Sequence, residues 1–187
     1  MTRTYACRTF ATLLVTAAAL LAVPVREVAA ASATDLNRDA RAELRRLYRT
    51  TPSAKVLGEK AKAILVFPSI VKGGFIVGGA YGEGVLYKGA ETAGYYNSVA
   101  ASWGLQAGVQ SFGYVLFLMT DEAVAYLAKS EGWEIGVGPS IVIVDKGMAN
   151  SLTTTTGKSD IYAFIFNQKG LMAGIGLQGS KITKIEK

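Results

Sequence analysis

Histidine is absent from the 187-residue chain, and cysteine occurs once, at Cys7. Together these absences remove much chemistry. No Ser-His-Asp or Cys-His nucleophile can be assembled, no zinc site of the usual ligands, and no imidazole acid or base. Carboxylates, lysines, tyrosines and hydroxyls remain. An enzyme is left less expected than a binding protein, with no catalytic residue, cofactor or metal assigned. A long apolar span is lacking too. The uncharged run "FATLLVTAAALLAV", Phe10 to Val23, is shorter than the roughly 20 residues that cross a bilayer.

That run follows Arg3 and Arg8 and precedes the small residues of "EVAAASA", Glu27 to Ala33. A positive start, an apolar centre and a small-residue cleavage site read as a secretory signal peptide over residues 1–30, cut after Ala30 or Ala31. An uncleaved N-terminal anchor is the alternative. Cys7 leaves with the signal, and it stands before the apolar run, where a lipoprotein cysteine would follow it. The remaining chain, 31–187, must hold together through its own core without disulfides, which a domain of about 155 residues can do. The expected location is the periplasm or the cell exterior, with peripheral attachment to a membrane.

Basic residues outnumber acidic ones, 20 to 14, and their placement matters more than their sum. Residues 34–63 read as helical, with a break near Pro52. Ala33, Leu36, Ala40, Leu44, Leu47 and Tyr48 recur at three- and four-residue steps and form one apolar stripe. Arg38, Arg41, Arg45 and Arg49 line the opposite face, and Asp35, Asp39 and Glu43 stand to one flank. The second helical piece carries Lys55 and Lys60, with Lys62 just beyond. Such a cationic face suits an anionic surface such as lipid head groups. It also suits a solvated helix with a few weak i,i+4 ion pairs. The basic residues lie on the helices rather than among the aromatics, which argues against nucleic acid as a partner.

From Ile64 the period changes to two. "ILVFPSI", "GGFIVGGA", "GEGVLYK", "WGLQAGVQS", "YVLFLMT", "WEIGVGPSIVIVD", "IYAFIFNQ" and "LMAGIGLQG" read as short strands punctuated by glycine, and so as a strongly curved sheet or barrel. "QKG", Gln168 to Gly170, reads as a hairpin turn. One helix interrupts the strands, with Thr120 as N-cap, Asp121 and Glu122 at its positive end, and Ala123, Val124, Leu127 and Ala128 on its buried side. "TTTTGKSD", Thr153 to Asp160, reads as a loop or an edge.

The glycine-dense stretch "VKGGFIVGGAYGEGVLYKG", Val71 to Gly89, is not a phosphate cradle. Its glycines spread along strands, and no Gly-Lys-Ser/Thr ends them at a helix. With period two, Phe75, Val77, Tyr81, Glu83, Val85 and Tyr87 share one face, and most of the glycines share the other. Glycines so placed permit bulges and the close approach of another element. "GIGLQG", Gly174 to Gly179, matches a dinucleotide fingerprint literally, but no helix or ribose-binding acid can follow it.

Three polar residues stand out among the strands. Glu83 has two readings: an acid or ligand contact in a cavity, or a structural carboxylate bonded to backbone amides at a bulge or paired with Lys72 or Lys88. Gln106 and Gln110 share a strand face with glycines, and either line a polar cavity or satisfy backbone groups. Tyr162, Phe164 and Phe166 form an aromatic stripe of the kind that builds cores.

The block "AKAILVFPSIVKGGFIVGGAYGEGVL", Ala61 to Leu86, resembles the opening of the SYLF domain. The likeness continues through "SWGLQAGVQS", "LFLMTDEAV", "GVGPS" and "IYAFIFNQKGLMAGIGLQG", ending at Gly179. This lipid-binding family includes yeast actin-patch proteins, plant proteins with an added FYVE domain, and exported bacterial proteins. The resemblance implies an α+β domain, 31–187, with a curved antiparallel β-barrel-like sheet flanked by N-terminal helices and one internal helix. It also implies membrane binding aided by an N-terminal amphipathic helix, which falls here on Leu36 to Arg49. Some members bind actin, which an exported chain would not meet. The expectation is non-enzymatic binding of anionic phospholipid through Arg38, Arg41, Arg45, Arg49, Lys55, Lys60 and Lys62. The alternative is a structural module that binds an envelope protein.

Overall fold

Glycine and proline bend the strands of this chain rather than end them. A computed structural model describes residues 31–129, 132–135, 137–144, 159–170 and 179–187, without the side chains of 75–77, 102–107 and 170. The expected signal peptide lies outside these residues, as do most of "TTTTGKSD" and of "LMAGIGLQG". Strand β1 runs unbroken from Ala63 to Lys88, and β2 from Glu91 to Leu118. The five separate strands expected over these stretches are therefore two. Val71-Lys72 and Tyr81, which separated the expected runs, are paired within the ladder; its register shifts fall inside those runs, at Phe67/Ile70, Gly74/Ile76 and Leu86/Tyr87, and such bulges bend and coil a strand without ending its pairing. The two-residue turn Gly89-Ala90 joins the pair, with Gly89 at φ 60°, a value that glycine adopts without strain.

The bending brings β1 back against itself. A Cβ on Gly84 would stand 2.7 Å from the carbonyl oxygen of Val66 and 2.7 Å from Cδ1 of Phe67. A Cβ on Gly82 would collide with the Ser69 carbonyl and the Ile70 side chain. The beginning and the end of the same strand thus touch, backbone to backbone, as glycines in strands permit.

Strand β2 is the spine of the sheet. Along one edge it pairs with β1. Along the other it pairs with β5 (Ile161–Gly170) over Gln110 to Leu118 and with β6 (Lys181–Ile185) over Tyr95 to Val99. A short β3 (Trp133–Glu134) extends the sheet beyond β6, and β4 (Ile141–Val144) extends it beyond β5. The expected curved antiparallel sheet forms, with one departure: β4 runs parallel to β5. The hairpin turn expected at Gln168 to Gly170 is also corrected. Strand β5 continues through Gly170, which pairs with Gln110. The irregularity is a bulge one step earlier, where Asn167 at φ 54° takes a left-handed conformation that asparagine tolerates.

Three helices flank the sheet among the described residues: α1 (Ala33–Thr50), α2 (Pro52–Lys60) and α3 (Asp121–Leu127). Ser32 caps α1, its hydroxyl accepting from the Asp35 amide at 3.1 Å. Thr120 caps α3 in the same way, accepting from the Ala123 amide at 3.2 Å. Ala123 and Leu127 are buried as expected, but Ala128 is the exposed C-cap residue. Asp160 fastens this region. Its carboxylate accepts from the Ser140 hydroxyl at 2.7 Å, the Ser140 amide at 2.9 Å and the Thr120 hydroxyl at 3.4 Å. The start of β5 is thereby tied to the start of β4 and to the cap of α3.

Period two sorts the strands into two cores. Leu65, Phe67, Ile70, Tyr114, Leu116 and Leu118 face one side, with Trp133, Ile161 and Ile182. Val66, Val85, Tyr87, Val115, Phe117, Tyr162 and Phe164 face the other, beneath α1. Strands buried on both faces read as continuous apolar runs, which accounts for "ILVF", "YVLFL" and "IYAFIF". The aromatic stripe is core, as expected.

Candidate functional site

Helix α1 presents opposite chemistries to the sheet and to solvent. Leu36, Ala40 and Leu47 are buried, and Leu44 and Tyr48 pack partly buried against the same core. The Tyr48 ring stacks on Phe117 with centroids 6.3 Å apart. Burial, with the nearby charge of Glu59, pushes its phenol up to about 12, because ionisation would place a charge in an apolar setting. The apolar stripe of α1 is therefore held by the sheet, leaving charge as what the helix offers outward. No helix among the described residues is long and apolar enough to cross a membrane.

Asn37 anchors this arrangement. Its side chain donates to the Tyr95 hydroxyl at 2.7 Å and accepts from the Thr92 hydroxyl at 2.8 Å. These partners lie beyond the Gly89-Ala90 turn, so no local sequence signal reveals the role.

The arginines of the stripe are not equivalent. Arg38 is paired with Asp35 at 2.7 Å and with Asp39 at 3.0 Å, so its charge is largely matched locally. Arg41 donates to the Ala90 carbonyl at 2.9 Å and lies 4.7 Å over the Tyr87 ring, holding the β1–β2 turn against the helix. Arg45 and Arg49 are exposed and have no ion pair among the described residues. Arg46, which sequence spacing leaves off the stripe, reaches Asn167 on β5 at 2.7 Å. Lys55 and Lys60 are exposed on α2, and Lys62 lies 3.5 Å from Asp121. The set expected from sequence thus divides into tethered cations and free ones, the latter being Arg45, Arg49, Lys55 and Lys60.

Between α1, α2 and β1 lies a groove of about 260 Å³ lined by Leu44, Tyr48, Ile64 and Tyr87, with Arg41, Lys55 and Glu59 also on its walls. An apolar floor beside cations can take the neck of an amphiphile, its anionic head among the bases and its hydrocarbon below.

The polar residues of the strands find other roles. Glu83 pairs with Lys187 at 2.7 Å, with side-chain exposures of 10% and 7% respectively, and accepts from the Tyr81 hydroxyl at 3.1 Å. Lys187 also donates to the carbonyl of Ala31. The expected partners Lys72 and Lys88 are not used, because curling brings the last residue of the chain to Glu83 instead. Lys187 thus ties Glu83 on β1 to the backbone of Ala31, a clamp between the two ends of the 31–187 segment. Gln110 is buried, and its Oε1 has no hydrogen-bond partner among the described residues. The Gln106 side chain lies outside the described set.

Residues 99–187 match the Ysc84 family model, described as Las17-binding protein actin regulator. Residues 99–187 belong to the SYLF family. This SYLF match holds β2 from Val99 onward, α3 and β3 to β6, and the quoted blocks from "SWGLQAGVQS" to the "GLQG" that ends at Gly179. Helices α1 and α2, strand β1 and the basic face precede it. No curated protein matches the chain.

Proposed function

We propose that this SYLF protein is a non-enzymatic, exported binding protein that docks on anionic phospholipid surfaces through the solvent face of α1 and α2. The observation that carries the reading is the set of exposed cations without an ion pair among the described residues, Arg45 and Arg49 on α1 and Lys55 and Lys60 on α2, with Lys55 on the wall of a groove that has an apolar floor. A basic residue close to an anionic surface contributes about 1 kcal/mol, so four together suffice for reversible, salt-sensitive attachment. Arg38 and Arg41 contribute less to attachment, because each is already engaged within the protein. For an exported chain the available anions are phosphatidylglycerol, cardiolipin or lipopolysaccharide phosphates.

Sedimentation with phosphatidylcholine vesicles, with and without phosphatidylglycerol, tests this at low and moderate salt. Binding to anionic vesicles alone, weakened by salt and reduced at least tenfold in Arg45→Gln/Arg49→Gln/Lys55→Gln, is expected. Binding unchanged in that variant would remove the site from α1 and α2. The family description names a protein partner, so absence of vesicle binding would transfer the same face to an envelope protein.

A further inference from the structure

We propose that the middle of the β1–β2 ribbon, residues 71–81 and 99–109, is the element that enters the interfacial layer of an anionic bilayer. This rests on the docking reading above and assigns its apolar component, which α1 does not supply because its own apolar side is packed on the sheet.

The ends of the ribbon are pinned together where Gly82 and Gly84 meet Val66 to Ile70, and the middle is the bend between them. None of the described residues in 71–74, 78–81, 99–101 and 108–109 is buried. Val71, Tyr81, Val99 and Val109 are 53%, 48%, 46% and 68% exposed. From Gly73 to Gly82 and from Ser98 to Val109 there is no charged residue. Large apolar residues exposed in pairs on an uncharged stretch suit an interaction site.

Its placement favours a bilayer over another protein. Tyr81, Glu83 and Val85 alternate without a bulge, and Val85 lies beneath α1. The exposed residues therefore share the face of the sheet that carries the basic helix. Each row of the sheet carries a lysine beside the exposed residues. Tyr81 pairs with Val99 and Val99 with Lys181, while Val71 pairs with Ser111 and Ser111 with Lys169. Both lysines are exposed, and long basic side chains next to apolar ones lay their stems on the apolar surface and send the ammonium to phosphate. Glu83 on this face is already matched by Lys187. Glu134, across from Lys181 on β3, stands beyond the lysine and away from the ribbon.

The sheet also sets the depth. Among the described residues β1 pairs with β2 alone, and free backbone groups at a strand edge are excluded from hydrocarbon. Penetration stays at head-group level, about 5–10 Å.

The test places an environment-sensitive fluorophore at Val99→Cys, Val109→Cys or Ile143→Cys in the full chain carrying Cys7→Ser. Vesicles are phosphatidylcholine, or phosphatidylcholine and phosphatidylglycerol in equal parts, with shallow spin-labelled lipid as quencher. Blue-shifted, quenched emission at 99 and 109 but not at 143, on the anionic vesicles only, is the expected result. Protein that sediments with anionic vesicles while the 99 and 109 labels stay aqueous would overturn the insertion and leave the docking reading standing. Failure to sediment at all would end both. Labels shielded without vesicles, increasingly so with protein concentration, would give the surface to a second copy and refute the proposal. Unlabelled Val99→Ser/Val109→Ser should melt as the parent does and partition about tenfold more weakly; equal partitioning counts against the ribbon.

Discussion

Replacing Gly84 by alanine probes the feature on which the whole arrangement depends, the return of β1 onto itself. The new methyl carbon would lie 2.7 Å from a backbone oxygen and 2.7 Å from an aromatic carbon, well inside ordinary van der Waals contact. Both neighbours belong to the buried start of the strand, and Val66 and Phe67 are fully buried, so neither can swing away as a surface side chain would. Overpacking of this kind costs about 1–3 kcal/mol. Gly79 on the same strand is the control. A Cβ there meets nothing closer than 3.7 Å, and alanine at an unstrained position restricts the unfolded chain and stabilises by about 0.4–1 kcal/mol. The two variants should therefore differ by about 2–3 kcal/mol. For a domain of this size that is about 5–10 °C in Tm. Thermal unfolding followed by circular dichroism reads the difference directly. Equal melting temperatures for Gly84→Ala and Gly79→Ala would mean that the ends of β1 do not meet, and the bend assigned to residues 71–81 would go with it.

Two further outcomes are expected. Lys187→Met removes the partner of a nearly enclosed carboxylate and should lower stability by about 1–3 kcal/mol, and Glu83→Gln should do likewise; a melting temperature unchanged in both would show that the clamp between the chain ends contributes nothing. Asp160 supplies the pH dependence. Its hydrogen bonds from the Ser140 hydroxyl and amide hold the carboxyl below its ordinary value of 3.8. A group depressed in the folded state contributes stability that is complete above its unfolded pKa and is lost as pH falls through the folded one. The parent should lose stability as pH drops below about 4, and Asp160→Asn should show a shallower loss over that window. Parallel pH profiles would refute the assignment.

Much of the fold was legible in local pattern. The stripe from Leu36 to Tyr48 implied an amphipathic helix, and the cap at Thr120 and the strand character of the runs in β1, β2 and β5 read correctly. The glycines of residues 71–89 were identified as points of close approach. Strand boundaries were not legible, because a bulge and a turn draw on the same residues. Pro68-Ser69, Gly74 and Asn167-Gln168 could each have ended a strand, and in each case the ladder continues on the far side.

The candidate site shows where local information stops. Sequence by itself determined that the chain has no imidazole and a single thiol, at Cys7, that α1 is amphipathic, and that four arginines share its outer face. These follow from composition and from the 3.6-residue period, which need no knowledge of distant partners. Which of those charges are free, that Glu83 meets Lys187, and that Val71, Tyr81, Val99 and Val109 stay exposed were decided only in the tertiary structure. Most of these depend on residues far apart in sequence, such as Arg41 and Ala90, 49 positions apart, and Glu83 and Lys187, 104 apart. Such contacts arise from how a bent strand brings its ends together, and period and propensity carry no record of that geometry.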